Sequence, residues 1–367
     1  MTGERDIVRF AFPFTAGIVA ACFIPTLTTP WFSVPAALIC IIPATCLMAV
    51  RPDQDNQFLL RISIASLAFL TGMICMVTDA SIGMYGSTLP SLDRMGLEFC
   101  RSIRENLESL PFTSEKTGPL LSALITGDRS SLSKEIIADF RASGASHILA
   151  LSGLHLGIIY GIIRRLTTPI GNGTRAKMIR SAITLSACSF YTIATGSGES
   201  IVRAFLFILI YETAVLTHRN IGIRQVLPAV MIIHLATDPS AIMSISFQLS
   251  YAAMAAIAYI YPYLKGFWPE NESSRRKGVF QKVWNTAALS ISCQIATAPL
   301  AWYYFSSMPQ HFLISNLIAL PLTGIIIPLA LLTLVLNGIG ICPTMLAAAT
   351  DAAVSLLIWS LEVIAAM

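Results

Sequence analysis

The chain has 367 residues, 55% of them apolar and 12% charged, with a formal net charge of +4. A soluble globular domain carries roughly 25% charged residues, so this composition argues against an ordinary water-soluble enzyme or binding module. The small positive balance does not by itself call for an acidic partner.

Apolar segments bounded by polar residues, Pro or Gly fall at about 7–24, 34–50, 60–77, 147–163, 181–195, 201–217, 225–237, 243–262, 284–304, 312–336 and 345–365. Several of these runs reach the roughly 20 residues that cross hydrocarbon as a helix. The expectation is an all-α, polytopic membrane protein with about 11 transmembrane segments. Val19-Ala20-Ala21-Cys22 has the look of a lipoprotein cleavage box. Because further spans follow at once, an uncleaved first span is the better reading. The eight cysteines lie nearly all within apolar runs and form no CxxC pair, so they read as small hydrophobes.

Orientation follows from the basic residues. With the N-terminus inside, the inner loops collect Arg5, Arg9, Arg51, Arg61, Arg164, Arg165, Arg175, Lys177, Arg180, Arg219, Arg224 and the basic residues from Lys265 to Lys282. Short outer loops hold only Arg203, and the C-terminus then lies outside. Three regions are expected: a three-span region over 1–77, an outside amphipathic segment over 78–117, and a membrane block over 118–367.

In the outside segment, Leu92, Met95, Phe99, Ile103, Leu107 and Leu110 recur at helical spacing, with charged residues elsewhere on the wheel. A turn at Pro111-Phe112-Thr113 precedes a short apolar helix near 118–126. Ser133 is placed to cap the helix that follows the Gly127-Asp128-Arg129-Ser130 turn.

Polar groups inside spans are costly and mark candidate sites. His147, Ser152 and His155 lie in a run broken by Gly153 and Gly157, and the histidines are spaced to share a helical face. They could line a wet path or bond between helices. A metal pair lacks a third ligand, and a Ser152/His155 dyad lacks a nucleophile elbow. Gly196 and Gly198 make a turn before Glu199 and Arg203, which are spaced to pair on the next helix, either as a structural ion pair or as a cationic mouth. Gln248 and Asn316 are amides at membrane depth, and Pro321 and Pro328 are expected to break the last long run. No P-loop is present.

These motifs in this order resemble the ComEC competence family. The resemblance is carried by Gly127–Ser130, Phe140-Arg141-Ala142-Ser143-Gly144, the His147–His155 run, Ser200–Ala204, Asp238-Pro239, Phe247–Ser250, Ala298-Pro299-Leu300 and the region of Asn316 and Pro321. It implies an inner-membrane channel that takes up single-stranded transforming DNA. The partners it implies are a periplasmic DNA receptor, a separate nuclease, cytoplasmic translocation or single-strand-binding proteins, and membrane lipids. An OB-like module and a metallo-β-lactamase-like module found in the wider family find no counterpart in the pattern, so a non-enzymatic short form with no cofactor or metal is expected. Asp128, Arg129, Arg141, His147, Ser152, His155, Glu199, Arg203, Gln248 and Asn316 are the candidate DNA-path residues. A transporter or enzyme of the same fold, acting on another anionic or lipid-linked envelope substrate, is the alternative.

Overall fold

The computed structural model describes residues 2–23, 57–82, 90–171, 173–267, 275–306, 311–341 and 344–367, and contains no strand among them. The expected span at 34–50 lies outside the described residues. The chain divides into two compact units, residues 1–88 with 219–251 and residues 89–218 with 252–367. Residues 219–251 thus join the N-terminal helices.

In the first unit, α1 (Thr2–Phe23) and α2 (Gln57–Ile82) pack along their lengths. Ala11, Phe14, Ile18 and Ala21 recur at three- and four-residue spacing on α1 and are buried. The two backbones nearly touch. A Cβ on Gly17 would fall on the Phe69 carbonyl, and one on Gly72 would fall on the Phe14 carbonyl. Glycine is required here to admit this approach. Helix α10 (Ile223–Thr237) also packs on α1. It ends at Asp238, whose carboxylate accepts from the Ala241 N–H at 3.2 Å and caps the 3₁₀ turn Pro239–Met243. Helix α11 (Ile245–Tyr259) follows. The buried His234 of α10 lies against Phe247 and Tyr251, with Nδ1 3.3 Å from the tyrosine hydroxyl.

The second unit is built around a helix too short to stand alone in water. Helix α4 (Thr117–Thr126) has ten residues, and Leu120, Leu121, Ala123 and Leu124 are each 0% exposed. Around it lie α3 (Pro90–Glu108), α5 (Lys134–Ala142), α6 (Ser146–Leu149), α14 (Phe312–Gly338) and α15 (Thr344–Ala365). Ser133 caps α5 as expected, accepting from the Ile136 N–H at 3.3 Å. A second cluster joins α7 (Gly153–Leu166), α8 (Thr174–Ala194) and α9 (Glu199–Leu216) through Leu156, Cys188, Tyr191, Ile201 and Ile208. The short α12 (Tyr261–Lys265) and long α13 (Arg275–Phe305) complete the unit, and the Trp284 indole donates to the Leu264 carbonyl at 3.2 Å.

Among the described residues, α14 and α15 are long and apolar enough to cross a membrane. The expected breaks at Pro321 and Pro328 do not occur, and α14 runs through both. A helical proline loses one hydrogen bond and crowds the carbonyl four residues back. For Pro328 that residue is Gly324, where an added Cβ would meet nothing within 4 Å, so the backbone has room to adjust. Packing of Ile326 and Ala330 in the core then holds the turn.

The amphipathic stripe of α3 divides in two. Its later part, Ile103 and Leu107, enters the core beside α4, as does Leu110 just after the helix. The earlier part lies on the end of α8. Gly96 abuts Ala194, the Cys100 thiol donates to the Ala194 carbonyl at 3.2 Å, and Phe99 meets Phe190 edge-on at 5.1 Å. That contact leaves Met95 52% exposed.

From α3 the chain runs along the α14–α15 hairpin. Asn106 donates to the Leu334 carbonyl at 3.2 Å and accepts from Asn337 at 2.6 Å. Asp351 of α15 then accepts from the N–H groups of Thr113 and Ser114, at 3.2 and 3.3 Å, and from the Thr117 hydroxyl. A carboxylate thus gathers the backbone donors of the turn that leads into α4 and the Thr117 hydroxyl, and it complements the helix dipole. Beyond it, Lys116 pairs with Glu362 at 3.0 Å. Hydrogen bonding to that carboxylate raises the Lys116 ammonium above its usual range.

Candidate functional site in a broken helix

The run 147–163 was expected as one span. It is two helices, α6 and α7, separated by an extended link at Ala150 (ψ 127°) to Ser152 (φ −123°, ψ 169°). His147 and His155 therefore do not share one continuous helical face. His147 is exposed and His155 is 1% exposed.

A hydrogen-bonded turn supports the break from behind. Gly127 ends α4 at φ +81°, a left-handed conformation that favours glycine, and a Cβ there would also displace the end of the Leu151 side chain. Asp128 accepts from the Ser130 N–H at 2.9 Å and pairs with Arg104 of α3. The Arg104 guanidinium also donates to Ser130 Oγ at 3.2 Å. Arg129 donates from Nε to the Leu149 carbonyl at 3.1 Å, one of the carbonyls that the end of α6 leaves unbonded. Tyr191 of α8 donates to the Ile125 carbonyl at 2.6 Å. Of the expected path residues, Arg129 thus bonds the end of α6, and Asp128 fixes the turn that carries Arg129.

In front of the break is the N-terminal turn of α7. Ser152 and His155 form a capping box. Ser152 Oγ accepts from the Leu154 N–H at 3.3 Å, and the Ser152 N–H donates to His155 Nδ1 at 3.2 Å. The hydroxyl also lies 3.1 Å from Nδ1. This is the geometry of a helix cap, with the ring nitrogen engaged by the backbone as well as by the hydroxyl.

The second turn of α9 packs on this cap. A Cβ on Gly153 would stand 3.3 Å from Ala204 Cβ and 3.9 Å from an Arg203 guanidinium nitrogen. Arg203 is 6% exposed and donates to Ser200 Oγ at 3.2 Å. The structure thus brings Ser152, His155 and Arg203 to one turn, with Arg129 bonded just before it. Glu199 begins α9.

The other expected residues lie elsewhere. Arg141 is exposed in the last turn of α5. Asn316 sits on α14 beside Ser315, whose hydroxyl donates to the Ser143 carbonyl at 2.6 Å. The Asn316 side-chain carbonyl is buried with no hydrogen-bond partner among the described residues. Gln248 belongs to the other unit, where its amide donates to the Ile242 carbonyl at 3.0 Å.

Sequence reading missed one cluster. Glu212 of α9 is 0% exposed. It accepts from the Tyr160 hydroxyl at 2.7 Å and the Ser181 hydroxyl at 2.5 Å, and it pairs with Arg164 at 3.4 Å. The carboxylate ties α7, α8 and α9 together. An acid alone in the apolar run 201–217 was the available signal. Arg104, placed on the polar face of α3, carried no comparable mark.

Comparison with known proteins agrees with the sequence motifs. The family model described as "Competence protein" matches residues 124–367. The chain is 25% identical over 231 residues to ComE operon protein 3 of Bacillus subtilis, covering 62% of this chain and 27% of that protein. It is 26% identical over 272 residues to the uncharacterized protein YcaI of Escherichia coli, covering 72% and 35%. Recombination protein 2 of Haemophilus influenzae is 23% identical over 227 residues, covering 60% and 28%. The match thus spans about a quarter to a third of the length of these relatives. No solved structure matches the chain. The matched region holds the broken helix, its supporting turn from Gly127 onward and the α9 turn, and the chain belongs to the ComEC competence family.

Proposed function

We propose that this chain is a multi-pass protein of the bacterial inner membrane and passes one strand of transforming DNA across it. Family membership over 124–367 is the observation that carries the reading. Two features of the molecule support it. Its composition and the apolar α14 and α15 suit a membrane. A broken helix with a buried arginine at its N-terminal turn is an arrangement that membrane proteins use where backbone meets an anionic substrate. The DNA would be presented by a periplasmic receptor and received by cytoplasmic proteins, with degradation of the other strand by a separate nuclease.

The test is internalisation of labelled DNA in a strain deleted for the gene and complemented with this chain. Restored transformation supports the reading. Normal transformation in the deletion strain, together with an unrelated envelope defect, would overturn it in favour of another anionic or lipid-linked substrate.

A further inference from the structure

Helix α8 carries its polarity inside out. Its buried side bears the hydroxyls of Ser181, Thr184 and Thr192. Its outer side bears Met178, Ile179, Ile183 and Phe190, all exposed. At 3.6 residues per turn these four fall within about 140° of one face, and Arg175 lies inside the same arc. A surface helix in water is arranged the other way, and an apolar face of this kind marks contact with another apolar phase. The 21 residues of α8 rise about 32 Å, close to the roughly 30 Å of hydrocarbon in a bilayer.

Cations gather at the start of that face. Arg175 is exposed in the first turn of α8, and Arg165 and Leu166 are exposed in the last turn of α7. The connection between the helices folds back onto α8. Arg180 donates to the Gly171 carbonyl at 3.3 Å, and a Cβ on Gly171 would stand 3.8 Å from Ala176 Cβ. This connection presents Ile170 to the exterior. No Asp or Glu occurs between residues 140 and 198. Glu212 reaches Arg164, but Arg165 and Arg175 enter no ion pair among the described residues. Arg175 and Lys177 also stand against the dipole of α8, whose positive end favours anions.

The surface thus alternates unpaired cations with exposed apolar side chains. A nucleic acid emerging into water would meet the cations and leave the apolar groups wet. An anionic lipid covers both, its phosphate at the guanidinium groups and its chains on the apolar face.

We propose that the α7–α8 turn is a seat for anionic phospholipid at the membrane surface. Arg165 and Arg175 meet headgroup phosphates, and Leu166, Ile170, Met178 and Ile179 sink into the acyl boundary. The proposal rests on the inner-membrane part of the proposed function, and the orientation read from the basic residues puts the seat in the cytoplasmic leaflet.

The experiment uses the full chain in nanodiscs of mixed phosphatidylglycerol and phosphatidylcholine, with the lipids retained by the protein counted by native mass spectrometry. Wild type is expected to retain phosphatidylglycerol preferentially. The double variant Arg165→Gln/Arg175→Gln should narrow that preference about tenfold or more, at about fivefold for each cation removed from an anionic surface. The double variant Arg94→Gln/Arg101→Gln removes the same charge from exposed positions on α3 and should leave the preference unchanged. Equal narrowing in both double variants, or an unchanged preference in a folded Arg165→Gln/Arg175→Gln protein, overturns the seat. An oligothymidylate bound in discs of phosphatidylcholine alone, and lost in Arg165→Gln/Arg175→Gln while the lipid preference persists, overturns it in favour of the emerging strand. A chain that does not enter the discs at all overturns the inner-membrane reading, and the seat with it.

Discussion

Replacing Glu212 by Ala should loosen the α7–α8–α9 cluster more than any other single substitution there. The carboxylate is 0% exposed and engages Tyr160 at 2.7 Å, Ser181 at 2.5 Å and Arg164 at 3.4 Å. Removing one member of a buried pair costs about 3–5 kcal/mol, because its partners keep their desolvation without compensation. Two features place this case at the lower end. Arg164 keeps 23% side-chain exposure and can turn toward solvent, and Tyr160 is only half-buried. Ser181 has no such escape, being 1% exposed, and leaving its hydroxyl unpaired costs about 1–3 kcal/mol. The expected loss is about 3 kcal/mol for Glu212→Ala. Glu212→Gln, which keeps an acceptor for Tyr160, should lose about half of that.

The assay is unfolding of purified protein in mixed micelles with increasing dodecyl sulfate, with a double-mutant cycle on Tyr160→Phe. That substitution should cost about 1 kcal/mol in the wild-type background and almost nothing in Glu212→Ala. Equal cost in both backgrounds, or a Glu212→Ala protein within about 0.5 kcal/mol of wild type, would refute the cluster as a tie between the helices.

Other substitutions test the frame around the site. Gly17→Ala or Gly72→Ala places a methyl group on a facing backbone carbonyl and should cost about 1–3 kcal/mol through overpacking, read as a lowered melting temperature with the helices pushed apart. Asp351→Ala removes the acceptor for Thr113, Ser114 and Thr117 and should cost about 2–3 kcal/mol, with faster hydrogen exchange at Thr113 and Ser114 in the turn before α4; Asp351→Asn should be milder. Lys116, whose folded-state pKa is raised by Glu362, contributes stability that is fully present below its unfolded value of 10.5 and is lost as pH rises through the folded value. The pair is half-exposed, so Lys116→Met should differ from wild type by less than about 1 kcal/mol near neutral pH, and the difference should vanish in strongly alkaline buffer.

Helix positions were legible in the sequence wherever apolar runs were long and bounded. The runs at 181–195, 201–217 and 345–365 correspond to α8, α9 and α15, and the Ser133 cap followed from a side chain acting on its own neighbours. Local chemistry also exposed the glycines around the site. Gly127 needs a left-handed turn, and Gly196 takes one at φ +81°.

Relations between distant residues were not legible. Arg129 and Arg203 look alike in sequence, as basic residues beside polar turns. Folding gives the first to the Leu149 carbonyl and carries the second to Gly153, and only the packing of α7 on α9 separates those roles. Pro321 and Pro328 read as helix breakers because the proline rule is local, while the continuity of α14 depends on a core contributed by α4, α5 and α15. His155 shows the division most sharply. Its place three residues after Ser152 can be read from the sequence. That Nδ1 would take the backbone proton, leaving a buried donor on Nε2, depends on the chain leaving its helix at Ala150–Ser152 and on neighbours closing over the ring, and both are decided by tertiary packing.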